Sequence, residues 1–281
     1  MNPPSSPFLP RHVLLGHLLL LLLAGCAAGS GSPLPRHENA SEFARIRSAW
    51  EAAGYPSEIG FAVLGDNRDG DAVHRKLIAQ MNADGGILFV VNTGDLVDDG
   101  SEAGFRRFVK DIGASRAPYL VVPGNHDSRN DGERIYLETF GARDWAFDLG
   151  GNRFIGLDNH SGGFSAAQLE WLDRELATPR RCFVFMHQPP PLGAWSAHSF
   201  RRTSERFLEI VARRRPSRVF CGHIHGYSRR EGEGTVWVVT GGAGAPQWGL
   251  HEIEGVENVF HYVRVEAGQA GVREEVVELV K

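Results

Sequence analysis

The chain has 281 residues, a formal net charge of −4 and an apolar share of 42%. That share supports a sizeable core, which argues against a disordered chain. Acids and bases are interspersed with no basic stripe or block, which speaks against a nucleic-acid scaffold as partner and leaves a nucleotide open as substrate.

In chain order, the first feature is a leader. Arg11 and His12 precede an apolar run over 13–23, broken only by Gly16 and His17. The run is too short to span a bilayer comfortably, and its flanks fit a secretory signal over 1–25. Leu23-Ala24-Gly25-Cys26 resembles a bacterial lipobox, which implies lipidation of Cys26 and membrane attachment through it. The resemblance points to the cell envelope, on the outer-membrane side because Ala27 rather than Asp follows the cysteine. The Gly-, Ser- and Pro-rich stretch that follows reads as a flexible tether over 26–40.

A single domain is expected over 41–281. An amphipathic helix is predicted over 41–53, with Phe43, Ile46, Ala49, Trp50 and Ala53 at helical spacing. Short apolar runs at 59–64, 87–91 and 119–122 then alternate with helices at 71–83 and 102–112. Gly150-Gly151 joins two strands at 145–149 and 152–158 into a hairpin. A helix at 165–176, a strand at 182–186, a helix at 203–214 and a strand at 218–221 continue the alternation. The tail, at 235–240, 257–265 and 272–279, reads as antiparallel strands. The pattern specifies an α/β domain with one large sheet or two sheets packed face to face. Cys182 and Cys221 lie in apolar strand segments and read as buried thiols, with a disulfide left open.

Chemistry-bearing residues recur after the strands, where an α/β sheet opens its ligand crevice. Asp66 follows the first strand and Asp95 the second, Asn125 and His126 follow the third, His187 ends the strand at 182–186, and His223 and His225 follow 218–221. These carboxylate, amide and imidazole groups suit divalent first-row metals. Gly65, Gly94, Gly124 and Gly222 each stand directly before one of them, so the loops can turn tightly and approach closely. Any one of these residues alone would read as an ordinary turn or surface group; their repetition at equivalent positions reads as a site.

The set Gly65-Asp66-Asn67-Arg68, Gly94-Asp95-Leu96-Val97-Asp98, Gly124-Asn125-His126-Asp127, His187 and Gly222-His223-Ile224-His225 resembles the calcineurin-like metallophosphoesterases in identity and order. The resemblance implies a four-layer α/β/β/α sandwich with two mixed sheets, and hydrolysis of a phosphomonoester or phosphodiester. It implies a centre of one or two divalent metals (Mn, Fe or Zn), which activate water and stabilise the attacking and leaving oxygens. Asp95 would bridge, with Asn125, His187 and His223 at one metal and Asp66 and His225 at the other. His126 would meet the phosphate or protonate the leaving oxygen, oriented by Asp127. Thr240-Gly241-Gly242-Ala243-Gly244-Ala245-Pro246 looks like a glycine-rich loop found near such sites.

One position departs from the pattern. The first motif is usually Asp-x-His, and Arg68 stands where the histidine would be. A guanidinium cannot ligate a cation. Three readings follow: Asp98 fills the vacancy, Arg68 clamps a phosphate oxygen beside a single metal, or the site is an inactive relic. The retained His126-Asp127 pair argues against the relic. A non-catalytic metal- or phosphate-binding envelope protein and a pyrophosphatase of nucleotide-linked precursors are the competing functions. Asn67 and His160 are expected at the substrate.

Overall fold

A computed structural model describes residues 33–247 and 253–280. The leader, Cys26 and the first part of the expected tether lie outside the described residues. Strands rich in β-branched and aromatic residues form two sheets. One runs in the order β11 (Gly271–Glu278), β10 (His261–Gly268), β1 (Ile59–Leu64), β2 (Phe89–Asn92), β3 (Tyr119–Val121). The other runs β4 (Trp145–Leu149), β5 (Asn152–Gly156), β6 (Arg181–Phe185), β7 (Arg218–Cys221), β9 (Thr235–Thr240), β8 (Tyr227–Gly232). Both are mixed: β1, β2 and β3 run parallel, with β10 antiparallel to β1 and β11 to β10 on one side, and β5, β6, β7 and β9 run parallel between antiparallel β4 and β8.

Successive strand side chains point to opposite faces, and this sorts the core into layers. Phe61, Val63, Phe89, Val91, Phe183, Phe185, Phe220 and Val238 share a buried cluster between the sheets. Ala62, Leu64 and Val90 face outward onto helices α2 (Asp71–Ala83), α3 (Glu102–Ile112) and α4 (Gly132–Phe140). Val184, Val219 and Val239 face α5 (Ala166–Glu175) and α6 (Ser204–Arg214). The result is the expected α/β/β/α sandwich. Its middle layer is aromatic: Phe61 stacks on Phe89 at 5.1 Å and meets Phe154 and Phe183 edge-on at 5.4 and 5.2 Å. Cys182 and Cys221 are buried free thiols.

Helix α1 (Asn39–Ala52) closes the open edge of β3. Asn39 Nδ2 donates to the Val121 carbonyl and its Oδ1 accepts from the Val121 amide, both at 3.0 Å. Glu42 accepts from the Tyr119 amide at 3.0 Å. Side chains thus replace the missing neighbour strand. The His37 amide adds a bond to Thr139 at 2.8 Å, and Leu34 packs against the α2–α4 cluster. The compact unit therefore begins at Leu34, which corrects the expected boundary at residue 41: the second half of the presumed tether is held by polar and apolar contacts.

Three elements fall outside the periodicity reading: α4, β8 and a short 3-10 helix at Gly193–His198. α4 follows a motif loop closely, and β8 (Tyr-Ser-Arg-Arg-Glu-Gly) has the charged composition of an edge, its position fixed by antiparallel pairing from Tyr227↔Thr240 to Gly232↔Thr235. β10 starts later than the expected 257–265 strand. Removing the Asn39 carboxamide should leave two buried backbone groups unpaired, so Asn39→Ala is expected to cost about 2–3 kcal/mol in urea unfolding. A loss below ~0.5 kcal/mol would mean that the α1–β3 seam does not stabilise the fold.

Candidate metal centre

The parallel registers Val63↔Val91, Val91↔Leu120 and Phe185↔Phe220 bring the C-terminal ends of β1, β2, β3, β6 and β7 level within their sheets. The loops leaving those ends carry every metal-ligand candidate. They pack so closely that a Cβ on Gly124 would lie 2.2 Å from the Asp95 amide nitrogen, and one on Gly222 2.4 Å from Asp66 Oδ2. Glycine is needed there for the neighbouring loop more than for its own turn. Asp66, Asp95 and His223 adopt left-handed φ values of 60°, 54° and 68°, conformations that persist only where surroundings dictate them. Here they do: the His223 amide donates to both oxygens of Asp66 at 3.0 and 2.8 Å, and the His126 amide to Asp95 Oδ1 at 2.9 Å.

Four donor atoms converge from four loops. His187 Nε2 is 3.0 Å from Asn125 Oδ1 and 3.3 Å from Asp95 Oδ1. His223 Nδ1 is 3.0 Å from Asn125 Oδ1 and 3.2 Å from His187 Nε2. His187 Nδ1 donates to the Thr93 carbonyl at 3.0 Å, so its neutral ring turns a lone pair inward. Burial pushes the His187 imidazole below its ordinary range. Burial, followed by the neighbouring His187, brings His223 down to about 3. The His187 lone pair therefore faces the Asn125 amide oxygen and the Asp95 carboxylate oxygen, an arrangement that a cation relieves. Mixed nitrogen and oxygen donors with a hydrogen-bonded second nitrogen suit a divalent first-row metal. The Asp95, Asn125, His187 and His223 set fits one.

A second group shares Asp95. Donor atoms of Asp66, Asp95 and His225 lie within 4.8 Å of one another. His225 Nδ1 donates to the Pro246 carbonyl at 2.6 Å, leaving Nε2 3.6 Å from Asp66 Oδ1. The glycine-rich loop backs this group, with the Ala243 amide on the Gly65 carbonyl and the Ala245 amide on that of Asp66. Burial, and then the Asp95 charge, push the Asp66 carboxyl well above the usual range. Arg68 enters here: Nε is 3.4 Å from Asp95 Oδ2 and Nη1 3.0 Å from Asp98 Oδ1. Asp98 is half exposed and pairs with Arg68, so it does not complete this donor group as one reading expected.

Three further expectations are corrected or refined. Asp127 does not orient His126; its buried carboxylate accepts from the Val97 and Gly124 amides at 3.0 and 2.7 Å and ties two loops together. His126 is held instead by its Nδ1 on the Asp98 carbonyl at 2.6 Å. Asn67 is buried with both side-chain groups engaged inside the protein, donating to the Leu96 carbonyl and accepting from Asn92, both at 2.8 Å. His160 pairs through Nδ1 with Asp158 at 2.6 Å and lies 3.5 Å from Glu133, beside the loop that carries His187.

Some residues were not read from sequence. Arg129 places Nη2 2.9 Å from His126 Nε2; a basic residue three positions after the motif histidine was the available signal. Asn159 accepts from the amides of His187 and Gln188 at 3.1 and 3.0 Å and sets the turn that presents His187. Asn92 and Tyr119 form a chain under the Asp66 loop, with Asn92 donating to the Tyr119 hydroxyl at 3.2 Å and that hydroxyl donating to His74 Nε2 at 2.9 Å.

A family model described as calcineurin-like phosphoesterase matches residues 59–227. The chain is 34% identical over 155 residues to the 3',5'-cyclic adenosine monophosphate phosphodiesterase of Escherichia coli, covering 48% of this chain and 54% of that one. It is 29% identical over 159 residues to the glycerophosphodiester phosphodiesterase of Enterobacter lignolyticus, covering 48% and 55%. The chain thus spans about half the length of these curated relatives. A dimetal phosphatase from Danio rerio shares the fold, with a TM-score of 0.62, 15% identity, and 79% and 99% of the two chains covered.

His74 gives a pH test of the frame beneath the site. Burial lowers its pKa from 6.5 to about 3, so the unfolded chain binds more protons between those values. Its contribution is complete above pH 6.5 and is lost as pH falls toward 3. In His74→Gln, the fall in unfolding free energy with decreasing pH should be shallower by up to about 1.4 kcal/mol per pH unit. Urea unfolding at several pH values from 4.5 to 6.5 checks this; equal slopes would show that His74 is not buried neutral.

Proposed function

Because the chain belongs to the calcineurin-like phosphoesterase family, we propose that it hydrolyses a phosphoester, with a phosphodiester as the preferred class. The observation that carries this reading is the convergence of four donor atoms at 3.0–3.3 Å beside His126. The phosphodiester preference is supported by the names of the two curated relatives. A divalent ion held by Asp95, Asn125, His187 and His223 would supply positive charge for a phosphoryl oxygen and lower the pKa of water.

The chain's own groups handle the rest. His126 Nδ1 is engaged by the Asp98 carbonyl, which leaves Nε2 facing the centre, 4.0 Å from Asp95 Oδ2. Nε2 accepts from Arg129 in this state; once freed it takes a proton from solvent, and that imidazolium proton is the one that passes to the departing alkoxide. Arg129 now caps that atom. A phosphate offers the guanidinium a better acceptor, a charged pair of oxygens, so substrate draws Arg129 away and uncovers Nε2. Arg68, held beside Asp95 and Asp98, supplies a second donor fork. Asp127 and Asn67 keep the loops in register without meeting substrate.

Proposed with this function is a place at the cell envelope, through lipid on Cys26. It is supported by Leu23-Ala24-Gly25-Cys26 ending the apolar leader. In a bacterial host, labelled palmitate should enter the wild-type chain and not Cys26→Ala, and the variant should leave the membrane fraction; labelling of both would exclude this anchor.

Catalysis is tested on bis-p-nitrophenyl phosphate with added Mn. His126→Ala should lose about 10²–10⁴ in turnover while its metal content, read by mass spectrometry, stays unchanged. Undiminished turnover would remove His126 from the proton transfer, and wild-type protein that binds metal but cleaves no ester would favour a binding protein. Chelation should abolish activity and Mn should restore it.

A further inference from the structure

The two donor groups differ in what already neutralises them. Around Asn125, acceptor faces acceptor. Beside Asp66 and His225, a cation is built in. Arg68 is anchored by its own amide on the Asp95 carbonyl at 3.1 Å. Its side chain is 16% exposed, and its Nε lies 3.4 Å from Asp95 Oδ2. Asp98 and Asp69 hold Nη1 at 3.0 and 3.3 Å. Nε is buried and has no hydrogen-bond partner among the described residues.

We propose that the Arg68 guanidinium is the permanent cation of the Asp66/Asp95/His225 group, so that the chain binds one divalent metal ion, in the Asp95/Asn125/His187/His223 group. A guanidinium neither ligates a metal nor gives up its proton at accessible pH. It cannot yield to an incoming dication as a lysine or histidine would. A second metal would have to settle against fixed positive charge beside the same Asp95 oxygen. Arg68 also offers what such a metal would offer a substrate, positive charge and directed donors for a phosphoryl oxygen. This last role rests on the phosphoesterase reading; the metal count does not.

The test uses the full chain, stripped with chelator and reloaded with Mn, with bound Mn counted by mass spectrometry and its spin state read by electron paramagnetic resonance. Wild type should hold one Mn per chain with the spectrum of an isolated ion. Arg68→His removes the charge and adds a ligand, and should hold two, with a coupled spectrum. Should Arg68→His fail to fold, two other variants decide. His225→Ala should keep one Mn, and Asn125→Ala should keep none. Two Mn in the wild type, or loss of the single Mn on His225→Ala, overturns the proposal. Bis-p-nitrophenyl phosphate hydrolysis on the same samples separates the two claims. One Mn without turnover supports the count and removes the hydrolase reading, whereas two Mn with turnover does the reverse. No bound Mn overturns both.

Discussion

Asp95 is the charge around which the centre is arranged. One of its oxygens meets the His126 amide and His187 Nε2, and the other faces Arg68 and His126 Nε2. It is 1% exposed, and burial alone would raise its pKa. The charge that His187 and His126 carry when protonated, with the His126 amide, outweighs burial and holds it below the ordinary carboxylate range. A buried anion survives only with such compensation. Both donor groups, the proposed proton donor and the arginine at the first motif therefore depend on one ionised side chain.

The scaffold supplies that compensation by stiffness. The aromatic layer fixes the two sheets against each other, and parallel strands deliver their loops level with one another. Beneath the ligands, neutral amides do the positioning: Asn67 and Asn92 join the loops after β1 and β2, and Asn159 holds the turn after β6. Neutral groups suit this task because they fix geometry without adding charge to a site whose electrostatics are already crowded. Asp127 does the same for the loops after β2 and β3, with its carboxyl pushed well up by burial and then by Asp95.

The arginines separate the functions of neighbouring groups. Arg68 and Arg129 each contact the Asp98 residue, one through the carboxylate and one through the carbonyl, and the same carbonyl holds His126. Asp98 thereby links both arginines to the proposed proton donor, a role quite different from that of a metal ligand.

The sequence by itself determined the elements with strong periodicity, the order of ligands after the strands, and the four-layer class implied by those motifs. These are local signals: alternation, helical spacing and a glycine beside each ligand survive in one dimension. Tertiary structure alone decided how the polar groups are shared. Whether Asp127 faces His126 or two backbone amides, whether Asn67 faces substrate or Asn92, and whether Asp98 faces a metal or Arg68 depends on contacts between loops from different strands. The same holds at the edges, where β8 is a strand because β9 offers it a partner, and Asn39 belongs to the domain because β3 has no strand on its outer side. Hydrogen-bond partners far apart along the chain leave no periodicity, so only the folded chain reveals them.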